Sequence, residues 1–92
     1  MENTATLTYT SEVKGFIYED ETYKLTGNKT TDSLGVFCSV DNGSIQKGGN
    51  YIGGYYARIE NGKVKLSISD LNSEDYIAVY TLINSLIEEL SE

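Results

Sequence analysis

Histidine is absent from this chain, and cations are scarce: seven lysines and arginines stand against fourteen aspartates and glutamates. Without histidine the commonest general base and the commonest zinc ligand are missing, and so is every Ser-His or Cys-His nucleophile pair. Cysteine occurs once, at Cys38, so an internal disulfide, a thiolate zinc site and a Cys-x-x-Cys redox pair are all excluded. Cys38 is expected mid-strand on the side of Val36 and Val40, as a small buried hydrophobe.

Long apolar runs are missing too. No stretch approaches the ~20 apolar residues a membrane-spanning helix requires, and the opening "MENTATLTYT" has neither the basic segment nor the apolar run of a secretory signal. A reducing, cytoplasmic setting is therefore expected. Asn28-Lys29-Thr30 and Asn42-Gly43-Ser44 match the glycosylation pattern, but without such a signal they read as turn chemistry.

The glycines fit neither phosphate template. There is no G-x-G-x-x-G and no glycine loop ending in Gly-Lys-Ser/Thr, so those nucleotide folds are excluded. Asp70-x-Asn72-x-Glu74 matches the opening of a calcium loop, but Asp75 stands where that loop needs glycine and Thr81 where it needs a bidentate glutamate. The paired carboxylates of a glycosidase would need a pocket, and neither acidic cluster, Glu19-Asp20-Glu21 or Asp70 with Glu74 and Asp75, has one in evident reach. No metal, cofactor or catalytic residue is assigned, and the chain is not expected to be an enzyme.

What is present describes a single α+β domain over residues 1–92, a length that packs one core. Asn61-Gly62 supplies the positive φ values of a two-residue hairpin turn. Counting outward pairs Glu60 with Lys63, Ile59 with Val64, Arg58 with Lys65, Ala57 with Leu66, Tyr56 with Ser67 and Tyr55 with Ile68. Tyr55, Ala57, Ile59, Val64, Leu66 and Ile68 then share a core face, and Tyr56, Arg58, Glu60, Lys63, Lys65 and Ser67 a solvent face.

Upstream, Ala5, Leu7 and Tyr9 alternate with threonines from Thr4 to Thr10 in a half-buried strand. "KGFIYEDETYKL" reads as two short strands around an acidic tip, closed by Gly27-Asn28 before a polar loop from Lys29 to Ser33. "GVFCSV" is a strand that stops at a turn, Asp41-Asn42-Gly43. Toward the carboxyl end, Tyr76, Val79, Tyr80, Ile83, Leu86, Ile87 and Leu90 recur at spacings of three and four, the stripe of an amphipathic helix. Asn72 is its expected N-cap, and Leu71 should staple onto Tyr76. Ile77 and Leu82 widen the apolar surface, which implies either deep burial or contact with a second copy. Glu88, Glu89 and Glu92 sit where the helix dipole disfavours them. The expected architecture is an antiparallel sheet of about five strands with this one C-terminal helix packed on one face.

"KGGNYIGGYY", Lys47 to Tyr56, reads as a mobile loop entering a strand. Its Tyr, Gly and Asn mixture is the one that adaptable binding loops favour. Lys47, Asn50, Tyr51, Tyr55, Tyr56, Arg58, Lys63 and Lys65 are the candidate contact residues. The net charge of -7 disfavours duplex nucleic acid and anionic membranes. A non-catalytic binding module is expected, an acidic inhibitor, immunity-type or adaptor protein docking on a basic protein surface. A binder of nucleotides or other anions, using the tyrosines and the basic hairpin face, is the alternative; another is self-assembly, with the C-terminal helix as the homo-oligomer contact.

Overall fold

The computed structural model describes residues 5–9 and 15–91. Thr4, Thr10 and Glu92, together with the side chain of Tyr9, lie outside the described residues. Six strands precede one helix: β1 (Thr6–Tyr9), β2 (Gly15–Glu19), β3 (Tyr23–Thr31), β4 (Phe37–Lys47), β5 (Asn50–Glu60), β6 (Lys63–Ser69) and α1 (Ser73–Leu90). Each strand pairs antiparallel with the next, so the sheet is a simple meander in chain order. The fold is α+β, with six strands rather than about five.

The β5–β6 hairpin has the register read from the sequence, from Glu60 opposite Lys63 to Tyr55 opposite Ile68. Asn61 and Gly62 both hold positive φ, at 53° and 75°, and only a two-residue corner of that hand matches the twist of its flanking strands. Gly48 and Gly49 repeat the device between β4 and β5, with φ of 59° and 83°. "KGGNYIGGYY" is thus not a loop. It is a tight corner followed at once by a strand.

Two further sequence signals are corrected in the same way. Asp41-Asn42-Gly43 does not end a strand, because β4 runs through it to Lys47. Asn28 pairs with Asp41 and Thr26 with Ser44, while Val40 pairs with Ala57 and Gly43 with Tyr55, leaving one extra β4 residue against both neighbours. Asn42, with φ 56°, absorbs it as a β-bulge; the left-handed backbone that asparagine tolerates serves a bulge as well as a turn. Likewise β3 continues through Gly27-Asn28 to Thr31, where a closing turn was expected. Cys38 occupies a second bulge, since Thr30 pairs with Ser39 and Thr31 with Phe37. That offset turns Phe37 and Val40 inward, leaves Val36 57% exposed and keeps Cys38 out of the core.

The core lies between one face of the sheet and α1. Phe16, Tyr18, Leu25, Val40, Ile45 and Ala57 from the sheet meet Val79, Ile83, Leu86 and Leu90 from the helix, and Ala5 and Leu7 pack against its margin. β6 is an edge strand that the helix covers incompletely. Leu66 and Ile68 are half-buried there, and Val64, expected inside, is 44% exposed. Asn72 occupies the N-cap position with extended backbone but makes no side-chain cap bond. Leu71 packs on the core instead of pairing with an inward Tyr76. At the other end Ser91 satisfies the Ile87 carbonyl through both its amide and its hydroxyl.

Tyr55 threads this arrangement together. From β5 its ring crosses Gly43 of β4, and its hydroxyl donates to the Thr26 carbonyl of β3 at 3.1 Å. A Cβ on Gly43 would stand 2.8 Å from that ring, so the crossing requires glycine. Gly43→Ala is predicted to destabilise the protein by about 2 kcal/mol or more, within the range for overpacked cores, read as a lowered denaturation midpoint at unchanged m-value.

Candidate functional site

A meander with an even number of strands carries alternate connections to the same end. The corner after β2, the Gly48-Gly49 corner, the Asp70–Asn72 link and the first turn of α1 share one end of the molecule. Asp20 shapes the first of these, its carboxylate accepting from the amides of Thr22 at 2.8 Å and Tyr23 at 2.7 Å. Asp75 fastens the helix to the sheet there. It is the one buried charged residue among those described, and it accepts from the Tyr23 hydroxyl at 2.7 Å and the Lys47 ammonium at 2.9 Å. The Lys47 ammonium also lies 5.7 Å from the Tyr23 ring centroid, in cation–π range. These contacts occupy Lys47, a residue expected to meet a partner. Glu19, Asp20, Glu21, Asp70 and Glu74 leave this end acidic.

The hydrogen bond from Tyr23 and then that from Lys47 hold the Asp75 carboxyl below its ordinary range. The same bond to Asp75 raises Lys47, and together with burial it raises Tyr23.

The outer, solvent-facing side of the sheet carries most of the remaining sequence candidates. Tyr51 and Tyr56 are 61% and 42% exposed, and Arg58, Lys63 and Lys65 are exposed on the same side of the β5–β6 hairpin. Between the two tyrosines lies an open groove of about 310 Å³ bordered by Asn42, Gly54, Ser67 and Ser69. Asn50 is exposed at the β4–β5 corner, opposite Lys47. Tyr55 is set apart from the others: it faces the core, and burial pushes its hydroxyl pKa far up.

The third surface is the helix expected as a homo-oligomer contact. Seating Asp75 inward rotates α1 so that Val79, Leu82, Ile83, Leu86, Ile87 and Leu90 are buried, while Tyr76 and Tyr80 are 44% and 46% exposed and Ile77 is 79% exposed. The two tyrosine rings stack on the outside, their centroids 6.1 Å apart and their planes within 11°. Between Asp75 and Glu88 the helix carries no charged residue at all, so its outward face is neutral and partly aromatic. The signal was present in "YIAVYTLINSLI", since a surface helix ordinarily places charges opposite its buried stripe.

Among the described residues no group of three or more carboxylates or thiols stands where it could hold a metal ion, and no described helix is long and apolar enough to cross a membrane.

The Asp75 cluster sets a pH window. A carboxylate with a lowered folded pKa contributes stability fully above its unfolded value, near 3.9, and loses it as pH falls through the lowered one. Lys47 and Tyr23, both raised, contribute fully below their unfolded values, near 10, and lose that contribution as pH climbs. Asp75→Asn is therefore predicted to lower Tm by several degrees at pH 7 and to flatten the acid limb of Tm against pH. Thermal melts from pH 2 to 9 check both.

Comparison with models of known protein families, with curated proteins and with solved structures found no match to this chain.

Proposed function

We propose that the protein is a non-catalytic protein-binding module that docks through the outward face of α1, with the acidic end as its rim, on a partner whose surface is basic. One observation carries this reading: a helix exposing Tyr76, Ile77 and Tyr80 without a single charge from residue 76 to residue 87, on a chain of net charge -7. Protein interfaces have this anatomy, with charge depleted and aromatics enriched at the centre and polar groups at the edge. An exposed aliphatic beside a stacked aromatic pair suits the anchoring cluster from which most binding energy comes.

Size favours including the acidic end. A helix of eighteen residues is about 27 Å long and about 10 Å wide, so its outward face offers on the order of 300 Å². Stable interfaces bury about 800 Å² per partner. The neighbouring surface at the amino end of α1 is the acidic one, with Glu74 beside Tyr76 and Asp70 and the Glu19–Glu21 corner at the same end. Charge also discriminates between partners. Two copies meeting through this face would bring like-charged rims together, whereas a basic partner gains both affinity and encounter rate. Occlusion of that partner's surface, as an inhibitor, immunity-type or adaptor protein would achieve it, needs no catalytic group.

Affinity capture from host-cell lysate with the intact chain, run beside Ile77→Glu and Tyr56→Ala, tests the reading. A basic protein retained by the wild type should be lost with Ile77→Glu, a weakening of at least about tenfold, be kept with Tyr56→Ala and be released by salt. The stability of Ile77→Glu should stay within about 0.5 kcal/mol of wild type because the site is exposed. Equal capture by Ile77→Glu, or a salt-insensitive homodimer in sedimentation, would contradict it.

A further inference from the structure

The outer face of the sheet, opposite the helix and unused by the reading above, combines a ring-sized groove with an unbalanced group of cations. Tyr51 reaches along β5 until its hydroxyl stands over Gly54. A Cβ on that glycine would lie 3.3 Å from the hydroxyl and 3.4 Å from both the Gly43 carbonyl and the Ser69 hydroxyl, so the missing side chain is what lets Tyr51 lie down against the strand, and Gly54 itself is buried beneath it. Tyr56, on the same face, also lines the groove, and the polar groups of Asn42, Ser67 and Ser69 border it. Exposed tyrosine rings beside a groove form a stacking platform for a flat ring.

The next residue beyond Tyr56 on this face is Arg58, about 7 Å further along the strand. Lys65 sits directly opposite Arg58, and Lys63 opposite Glu60. Like charges directly opposite across a ladder destabilise a sheet. Among the described residues one carboxylate pairs with them, Glu60, which lies 3.1 Å from the Arg58 guanidinium, so the hairpin's outer face carries three cations and one anion, with Asp41 on the neighbouring strand β4. A compact anion held about 7 Å from a stacked ring would complement it.

We infer that this groove binds a nucleoside monophosphate, with the base stacked on Tyr56 and the phosphate at Arg58 and Lys65. In such a molecule the ribose sets base and phosphate apart by a comparable distance, and its hydroxyls meet the serine side. The net charge opposes a polyanion, which must run across the acidic parts of the surface. A single phosphate responds chiefly to charges within a Debye length of about 8 Å, where Arg58, Lys63 and Lys65 outnumber Glu60 and Asp41. The mononucleotide is thus preferred over single-stranded nucleic acid.

Titration of the labelled intact chain, followed by backbone amide shifts in NMR, tests this with AMP, UMP, adenosine, ribose 5-phosphate and a thymidine hexanucleotide. Both nucleotides should move Gly54, Tyr56, Arg58 and Ser67 saturably. Adenosine and ribose 5-phosphate should each bind at least about tenfold more weakly, since each lacks one half of the recognition. Tyr56→Ala and Arg58→Ala should each weaken AMP by about tenfold while core resonances stay in place, and Ile77→Glu should leave it unchanged, which keeps this site's fate separate from that of the helix face. The inference is overturned by any of three results: no saturable shift with either nucleotide up to about 10 mM, binding insensitive to Tyr56→Ala, or tighter binding of the hexanucleotide than of AMP.

Discussion

The orientation of α1 depends on one buried carboxylate. Asp75 stands in the first helical turn and takes hydrogen bonds from the first residue of β3, Tyr23, and the last residue of β4, Lys47. A buried charge left without partners would be costly, so the helix has one acceptable rotation at its amino end, the one that aims Asp75 at that pair. The rest of the helix follows by its period: Val79, Leu82, Ile83, Leu86, Ile87 and Leu90 go in, and Tyr76, Ile77 and Tyr80 come out. The neutral exterior of α1 is thus a consequence of how its acid is satisfied within.

The sheet is organised by glycine and asparagine in three different roles. At Gly48-Gly49 and Asn61-Gly62 they form two-residue corners. At Asn42-Gly43 they absorb a bulge and let Tyr55 cross over to β3. At Gly54 the missing side chain makes room for the Tyr51 hydroxyl at the edge of a groove. Backbone freedom explains the first role and part of the second, and room for another residue's ring or hydroxyl explains the remainder.

Local features of this kind were legible where the answer is local. Asn61-Gly62 admits a single short corner, so the whole register of β5 and β6 followed by counting, and with it the grouping of Tyr56, Arg58, Lys63 and Lys65 on one face. Asn42-Gly43 was misread because a turn and a bulge ask for the same left-handed backbone, and only pairing with β3 and β5 separates them. The helix and most of its buried stripe are legible, since Val79, Ile83, Leu86, Ile87 and Leu90 are inside, but Tyr76 and Tyr80 turn outward and Leu82 inward. Apolar residues occupy so many of its positions that several stripes fit the period, and the deciding residue, Asp75, finds partners 52 and 28 positions away. For the same reason the ion pair of Lys47 with Asp75 is not legible in the sequence, although the lysine itself stays exposed.

These constraints divide the surface into an outward helix face continuous with an acidic end, and a sheet face with tyrosines and cations. The docking role of α1 requires the helix to be turned as described, because that rotation decides which of its sides a partner can reach. Thiol labelling tests the rotation most directly, with Ile77→Cys and Leu82→Cys each placed in a Cys38→Ser background. The account predicts that the thiol at position 77 reacts at close to the rate of an unfolded peptide while that at 82 is protected until the protein opens; equal rates, or the reverse order, would contradict it.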